Sequence, residues 1–459
     1  MTKREQEIID LINREVKPAL GCTEPIAVAL AVAKAVEILA DNGTACSNAS
    51  CSLWRLTADF YIDLEVSGNI LKNAMGVGIP GTGMIGLPIA AALGAVCGKA
   101  DKGLEVLQAV NPDAVARAKR LLSEGHVKVK IADTDHLLYV KATVRYGTGK
   151  ASAEFAPNKT VSTKISPQAS AVIEDDHDKI VRTTFEDKIL MNAESAAAAK
   201  DTSGNSSIGL TVREIYDFAI RADYKDIEFI LEDRTLNLAL AEEGLSGDYG
   251  LKVGKSIRAN QKEVFGDDFM SFAMGMTAAA SDARMAGCTM PAMSNSGSGN
   301  QGITVSMPII AYALRYGIDD EKLARALILS NLIAIHIKSH LGKLSALCGC
   351  VIASTGSACG LVYLRGGSYE QVCAAIKNMV GNITGMVCDG AKVGCAMKVA
   401  SGVSSAVQSS VLALSDICAS ETDGIIDRDI EKTISNLGLI GSRGMRETDK
   451  LILDIMVCK

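Results

Sequence analysis

The chain has 459 residues and a formal net charge of −6, enough for two or three domains and a deep core. The acidic balance and the lack of a basic run argue against nucleic acid as a partner. Hydrophobic residues make up 48% but aromatics only 4%, with 42 glycines, so the core must be built from Ala, Val, Ile, Leu and Met with close backbone packing. Thirteen cysteines are too sparse for a disulfide scaffold in a chain this long. Met1–Asn13 is charged and does not read as a signal peptide, so reduced thiols and a cytoplasmic location are expected. The uncharged runs Met285–Leu314, Leu344–Leu364 and Val399–Ser415 are rich in Ser, Gly, Thr and Asn. They read as buried helices and loops, not membrane spans.

In chain order, Lys3–Val16 has the spacing of an amphipathic helix with Ile8, Ile9, Leu11 and Ile12 turned inward. Gly21-Cys22-Thr23-Glu24-Pro25 then precedes an apolar helix over Ile26–Ala40, with Thr23 as N-cap and Pro25 in the first turn. Cys22 thus sits at a helix N-terminus, where the dipole lowers a thiol pKa; a packing cysteine is the plain alternative. Ser52–Ser67 alternates as a strand, with Phe60, Ile62, Leu64 and Val66 on one side. It leads to Ile79-Pro80-Gly81-Thr82-Gly83 and an apolar helix from about Met84 to Cys97. Gly81-Thr-Gly-Met-Ile-Gly86 matches the dinucleotide pattern, but Pro80 and Pro88 and the lack of a following strand ending in an acid argue against it. A loop offering N–H groups to a small anion, or a plain tight turn, fits better.

From Asp101 to Phe185 charges return, and His126–Ala132, Leu137–Tyr146 and Lys150–Phe155 show period-two patterns; His126, His136 and His177 lie among these charges and are expected to face solvent. Asp187–Glu242 reads as helices with a break at Ser203–Ser207. Beyond Lys262 the chain is apolar and helical. There Ser294-Asn295-Ser296-Gly297-Ser298-Gly299-Asn300-Gln301-Gly302 reads as a buried polar loop able to hold a carboxylate. His336 and His340 fall four apart on one helix face, but Ile337 stands where a metalloprotease Glu would be, which argues against a metal role. The elements predict an α+β fold: a largely helical catalytic core with a smaller α/β-sandwich-like region inserted in mid-chain. The expected divisions are residues 1–100, 101–185 and 186–459.

Chemistry concentrates in Gly385–Gly402. Cys388 and Cys395 lie seven residues apart across Gly390 and Gly394, with Lys392 and Lys398 beside them and Cys348-Gly349-Cys350 forty residues upstream. Structural zinc prefers two tight pairs of ligands. An iron–sulfur cluster accepts looser spacing, while buried packing thiols remain the ordinary alternative.

Taken together, GCTEP, IPGTG, SNSGSGNQG, LSALCGC and MVCDGAKVGCAMK resemble the L-cysteine desulfidase family, related to the α domain of iron–sulfur L-serine dehydratases. The likeness runs over nearly the whole chain in order. It implies a cytoplasmic lyase with a 4Fe-4S cluster that converts L-cysteine and water to pyruvate, ammonia and hydrogen sulfide. By position, Cys348, Cys388 and Cys395 correspond to the cluster ligands, with Cys350 an unresolved neighbour, and Cys22 to an acid–base thiol. An open iron would serve as Lewis acid. The two glycine-containing loops would hold the substrate carboxylate, the substrate-binding residues being Thr23, Glu24, Gly81, Thr82 and Gly83 with Ser294, Asn295, Ser296, Gly297, Asn300 and Gln301, and Lys392 would offset negative charge. The partner implied is a small amino acid, with neither nucleic acid nor membrane; a homodimer is left open. Three alternatives stand beside this reading. They are an L-serine dehydratase of the same cluster type, a pyridoxal-phosphate β-eliminating enzyme suggested by the asparagine loop, and a non-catalytic iron–sulfur sensor.

Overall fold

The computed structural model describes residues 2–44, 55, 58–147, 168–175, 177–178, 180–185, 188–192, 208–342 and 346–458. The chain folds as two compact units, one formed by Met1–Ala19 with Ser203–Lys459 and the other by Leu20–Thr202. The architecture is α+β, as the periodicities predict, with the sheet-bearing unit set into the chain between the two parts of the helical one.

In the helical unit, the opening helix Lys3–Glu15 is capped by Thr2 and Glu5 in a reciprocal pair and buries Ile8, Ile9, Leu11 and Ile12. Val16–Ala19 (β1) then pairs antiparallel with the later strand Ala292–Asn295, placing Val16 opposite Asn295 and Ala19 opposite Ala292. Around this small sheet pack long helices whose buried faces are Ala, Gly, Ser, Ile and Leu: Phe269–Met285, Gly299–Tyr316, Asp320–Leu341, Gly349–Leu364 and Cys395–Leu414. Small residues make the packing close. A Cβ on Gly356 would lie 2.4 Å from the Ser330 carbonyl oxygen, and one on Gly244 would lie 2.0 Å from that of Ala279. The uncharged runs are therefore interior helices. Among the described residues no helix is long and apolar enough to cross a membrane.

The other unit holds a six-stranded sheet of β2 (Asp59–Val66), β3 (Val127–Ile131), β4 (Tyr139–Gly147), β5 (Gln168–Glu174), β6 (Ile180–Phe185) and β7 (Lys188–Asn192), in the order β3-β2-β4-β5-β6-β7. Only β2 and β3 run parallel. Phe60, Ile62, Leu64 and Val66 alternate into the core as expected. Because β2 pairs with both β3 and β4, the sheet draws on both sides of residue 100, where the sequence suggested a division. The Thr23–Leu39 helix packs on the sheet and on the Leu87–Cys97 helix, where a Cβ on Gly94 would sit 2.5 Å from the Ala29 carbonyl oxygen.

Three local expectations differ. Cys22, not Thr23, is the N-cap of the Thr23–Leu39 helix. Lys188–Asn192 is an edge strand, not helix; a short apolar run carries no reliable period, and pairing with β6 decides it. His126 is half-buried against the Tyr61 ring at 4.3 Å. The segments Lys150–Phe155 and Ser203–Ser207 lie outside the described residues.

Candidate active site

The two loop motifs of the sheet-bearing unit touch each other. Gly21 takes φ +76°, and a Cβ there would sit 3.0 Å from Pro80 Cγ, so the glycine lets one loop press on the other. Cys22 caps the Thr23–Leu39 helix through its carbonyl, which accepts from the Ile26 N–H at 3.2 Å, and its residue is only 3% exposed. The Thr23 hydroxyl donates to Glu24 Oε2 at 3.2 Å. In the second loop the Thr82 hydroxyl donates to the Ile79 carbonyl at 2.7 Å and accepts from the Met84 N–H at 3.0 Å, so it closes the turn. Gly81 and Gly83 stand at φ +73° and +66°, and a Cβ on Gly83 would meet nothing within 4 Å. That side of the turn is open to a ligand.

In the helical unit, the strand Ala292–Asn295 (β8) runs into the serine–glycine loop. Ser296 and Gly297 both adopt left-handed backbone, φ +48° and +77°. They turn the chain straight into the Gly299–Tyr316 helix, whose N-cap is Ser298. The loop's buried side chains are spoken for. Ser294 Oγ donates to the Lys17 carbonyl at 2.6 Å, and Asn295 Oδ1 accepts from Gln301 Nε2 at 2.8 Å and from Ser296 Oγ at 2.9 Å. Asn295 Nδ2 donates to Asn331 Oδ1 at 2.8 Å, and Asn331 Nδ2 to Asp233 Oδ2 at 2.9 Å. These groups fix the loop, while Ser296, Gly297 and Asn300 remain partly exposed. The first N–H groups of a helix have no intrahelical acceptor. Ser298 Oγ takes that of Gln301 at 3.4 Å, which leaves Gly299 and Asn300 presenting theirs at the positive end of an 18-residue helix. Beneath them lies buried Arg284, whose Nη1 donates to Asn300 Oδ1 at 3.3 Å. A Cβ on Gly299 would fall 2.2 Å from Arg284 Nε, so glycine is what admits the guanidinium.

The thiol segments meet this loop. Residues 346–348 and 386–388 zip antiparallel: Cys348 N–H donates to the Met386 carbonyl at 2.9 Å and Cys388 N–H to that of Ala346 at 2.6 Å. The pairing brings Cys348 and Cys388 alongside. Gly390, at φ +87°, kinks the chain back so that Cys395 opens the Cys395–Leu414 helix. Cys348 is itself the N-cap of Gly349–Leu364, and a Cβ on Gly349 would lie 3.3 Å from Gln301 Oε1. The polar loop and the thiols are therefore neighbours within one unit. Cys350 donates to Cys348, and this hydrogen bond, helped by Lys398, pulls the Cys348 thiol down to about 7 against its burial. The same contact and burial push Cys350 well up. Burial, with the nearby sulfurs adding to it, raises Cys395 to about 11. Burial alone would raise Asp389, but Lys392 and Lys398 both pair with it and hold it at about 2. Lys398 also donates to the Val387 carbonyl at 2.8 Å.

Sequence reading missed Arg284, Asp233, Asn331 and Asp389. Arg284 had one signal: a charge set in a helix of small residues, which is costly unless used. Asp233 and Asn331 sit 98 positions apart and had none. Asp233 is 1% exposed, and burial raises its carboxyl to about 7, opposed by the Asn331 hydrogen bond. The folded chain then keeps a proton that the unfolded one loses near 3.8. Stability from this group is full below about pH 4 and is lost as pH rises through about 7, by up to about 4 kcal/mol. Asp233→Asn should remove that loss: its urea midpoint should overtake that of the parent between pH 5 and pH 8. Parallel profiles would contradict the assignment.

The family model described as serine dehydratase alpha chain matches residues 101–454, a span holding all these thiols and the serine–glycine loop. The chain belongs to the serine dehydratase alpha-chain family. It is 46% identical over 462 residues to a UPF0597 protein of Bacteroides fragilis, covering all of both chains. It is 47% identical over 455 residues to one of Oleidesulfovibrio alaskensis, covering 98% of this chain and 97% of the other. One of Shewanella halifaxensis is 44% identical over 454 residues, covering 98% of each. This serine-dehydratase-type lyase comes from a family of iron–sulfur dehydratases. Its donor set fits such a group. Cys348, Cys350, Cys388 and Cys395 are all free thiols, the soft ligands that clusters take.

Proposed function

We propose that this lyase is an L-cysteine desulfidase, releasing pyruvate, ammonia and hydrogen sulfide from L-cysteine and water with a 4Fe-4S cluster held by Cys348, Cys388 and Cys395. What supports the reading is the approach of Gln301 to Gly349, which brings the buried polar loop next to Cys348. When bound, the cluster would supply a Lewis-acidic iron with no protein ligand, at which a thiolate becomes a better leaving group.

The chain's own residues do the rest. The N–H groups of Gly299 and Asn300, backed by Arg284, receive the substrate carboxylate, while Asn295 and Gln301 hold their loop to one geometry. Lys398, beside Cys348 in the thiol pocket, and Lys392 offset the charge of three thiolates, with Asp389 orienting both. Cys22 is the proposed proton acceptor from Cα. As that C–H bond breaks, its electron pair forms the Cα–Cβ double bond and the Cβ–S pair leaves with sulfur. The aminoacrylate tautomerises to the imine, and water hydrolyses it to pyruvate and ammonia.

L-Serine is the second reading, favoured by the description of the family itself. Membership in a family of iron–sulfur enzymes leaves the pyridoxal-phosphate and sensor alternatives without support. The test is anaerobic reconstitution followed by parallel assays on both amino acids. Equimolar sulfide and pyruvate from L-cysteine, at a kcat/KM at least tenfold above that for L-serine, are expected. Pyruvate from L-serine alone would replace the first reading by the second.

A further inference from the structure

Away from the thiols, His336 and His340 share one face near the end of the Asp320–Leu341 helix, and the Ile430–Leu439 helix brings Glu431 to them. His336 Nε2 lies 2.8 Å from Glu431 Oε2, and the two imidazole rings stand edge to face at 5.1 Å. One ligand atom from each residue falls within 4.8 Å of the other two, and no other trio of His, Cys, Asp or Glu among the described residues does so. The sequence argued against metal here because the spacing lacked a local Glu. The fold supplies that carboxylate from 91 residues beyond His340.

We propose that His336, His340 and Glu431 form a zinc site that pins the end of the Asp320–Leu341 helix to the Ile430–Leu439 helix. Two imidazoles and one carboxylate are a donor set zinc takes in tetrahedral sites, leaving a fourth position for water. Bonds of 2.0–2.1 Å require donors about 3.3 Å apart, reached from this arrangement by small side-chain rotations. Glu431 is already oriented from behind, its Oε1 accepting from the Val212 N–H at 2.7 Å, the kind of outer support that ligating carboxylates have. His336 is buried, while His340 and Glu431 are half-buried, so an ion has a way in and room for water. The site has a structural purpose. His340 abuts the second helix, where a Cβ on Gly438 would lie 2.7 Å from the His340 carbonyl oxygen. Eight residues beyond His340 the chain reaches Cys348, so the pinned helix end is the root of the thiol segment.

The test uses the cluster-loaded chain, cleared of loosely bound metal with a mild chelator and titrated anaerobically with zinc and then with cobalt as a spectroscopic probe. One equivalent of zinc per chain is expected, with a raised melting temperature. Cobalt should give visible d–d bands without the near-ultraviolet charge-transfer band of a thiolate ligand. His340→Gln and Glu431→Gln should each weaken zinc binding by more than about 100-fold, since even outer-shell changes cost 10–100-fold, while cluster absorbance stays unchanged. His340→Gln, being half-buried, guards against a variant that merely fails to fold. No zinc uptake by the parent chain, equal uptake by parent and both variants, or a cobalt–thiolate band would each overturn the site.

Discussion

Replacing Cys348, Cys388 or Cys395 by Ser should abolish the visible chromophore and turnover together, whereas Cys350→Ser should keep most of both. The backbone argument is specific. Cys348 and Cys388 are brought side by side by reciprocal hydrogen bonds between residues 346–348 and 386–388, and the Gly390 kink returns Cys395 to them. Cys350 lies two residues further on, buried in the first turn of the helix, as the donor to Cys348. A hydroxyl at position 350 can still donate, so the variant keeps the support that holds Cys348 as thiolate. Iron content, acid-labile sulfide and absorbance after anaerobic reconstitution decide. A cluster lost in Cys350→Ser and kept in Cys348→Ser would reverse the assignment.

Cys22→Ser should lower turnover by about 10²–10⁴-fold, the usual worth of a general base, and leave the cluster intact. The residue caps the Thr23–Leu39 helix, and its neighbour Gly21 lies against Pro80 of the second loop. At 3% exposed, Cys22 is no more accessible than Cys348 at 7%, so rapid alkylation cannot identify it. Kinetics can. A fall in kcat with full iron content supports proton transfer, near-normal turnover leaves a packing thiol, and lost iron makes Cys22 a ligand.

Much of this was legible because the informative residues are local. The period-two run Asp59–Val66 and the 3.6-residue pattern of Lys3–Glu15 each encode which face is buried, and both faces formed as read. The thiol segment stood out because Cys388 and Cys395 sit among Gly390, Gly394, Lys392 and Lys398, although spacing alone left packing thiols as an equal alternative. What escaped depends on chain closure. Asp233 and Asn331, and His336 and Glu431, are partners 98 and 95 positions apart, and no local period announces them. Arg284 looked like the edge of an apolar run because its use is defined by Gly299, which it meets only in the fold. Conversely, Thr82 and Ser294 looked like ligand donors, yet their hydroxyls donate to backbone carbonyls, that of Thr82 to Ile79 in its own turn and that of Ser294 to Lys17 on the paired strand.

The most direct measurement is the Mössbauer spectrum of the ⁵⁷Fe-reconstituted chain with and without L-cysteine. Three protein thiolates on a four-iron cluster predict one iron distinct from the other three, and only that iron should change its isomer shift when L-cysteine is added. Four equivalent irons that ignore L-cysteine, or a chain that takes up no iron, would contradict the account.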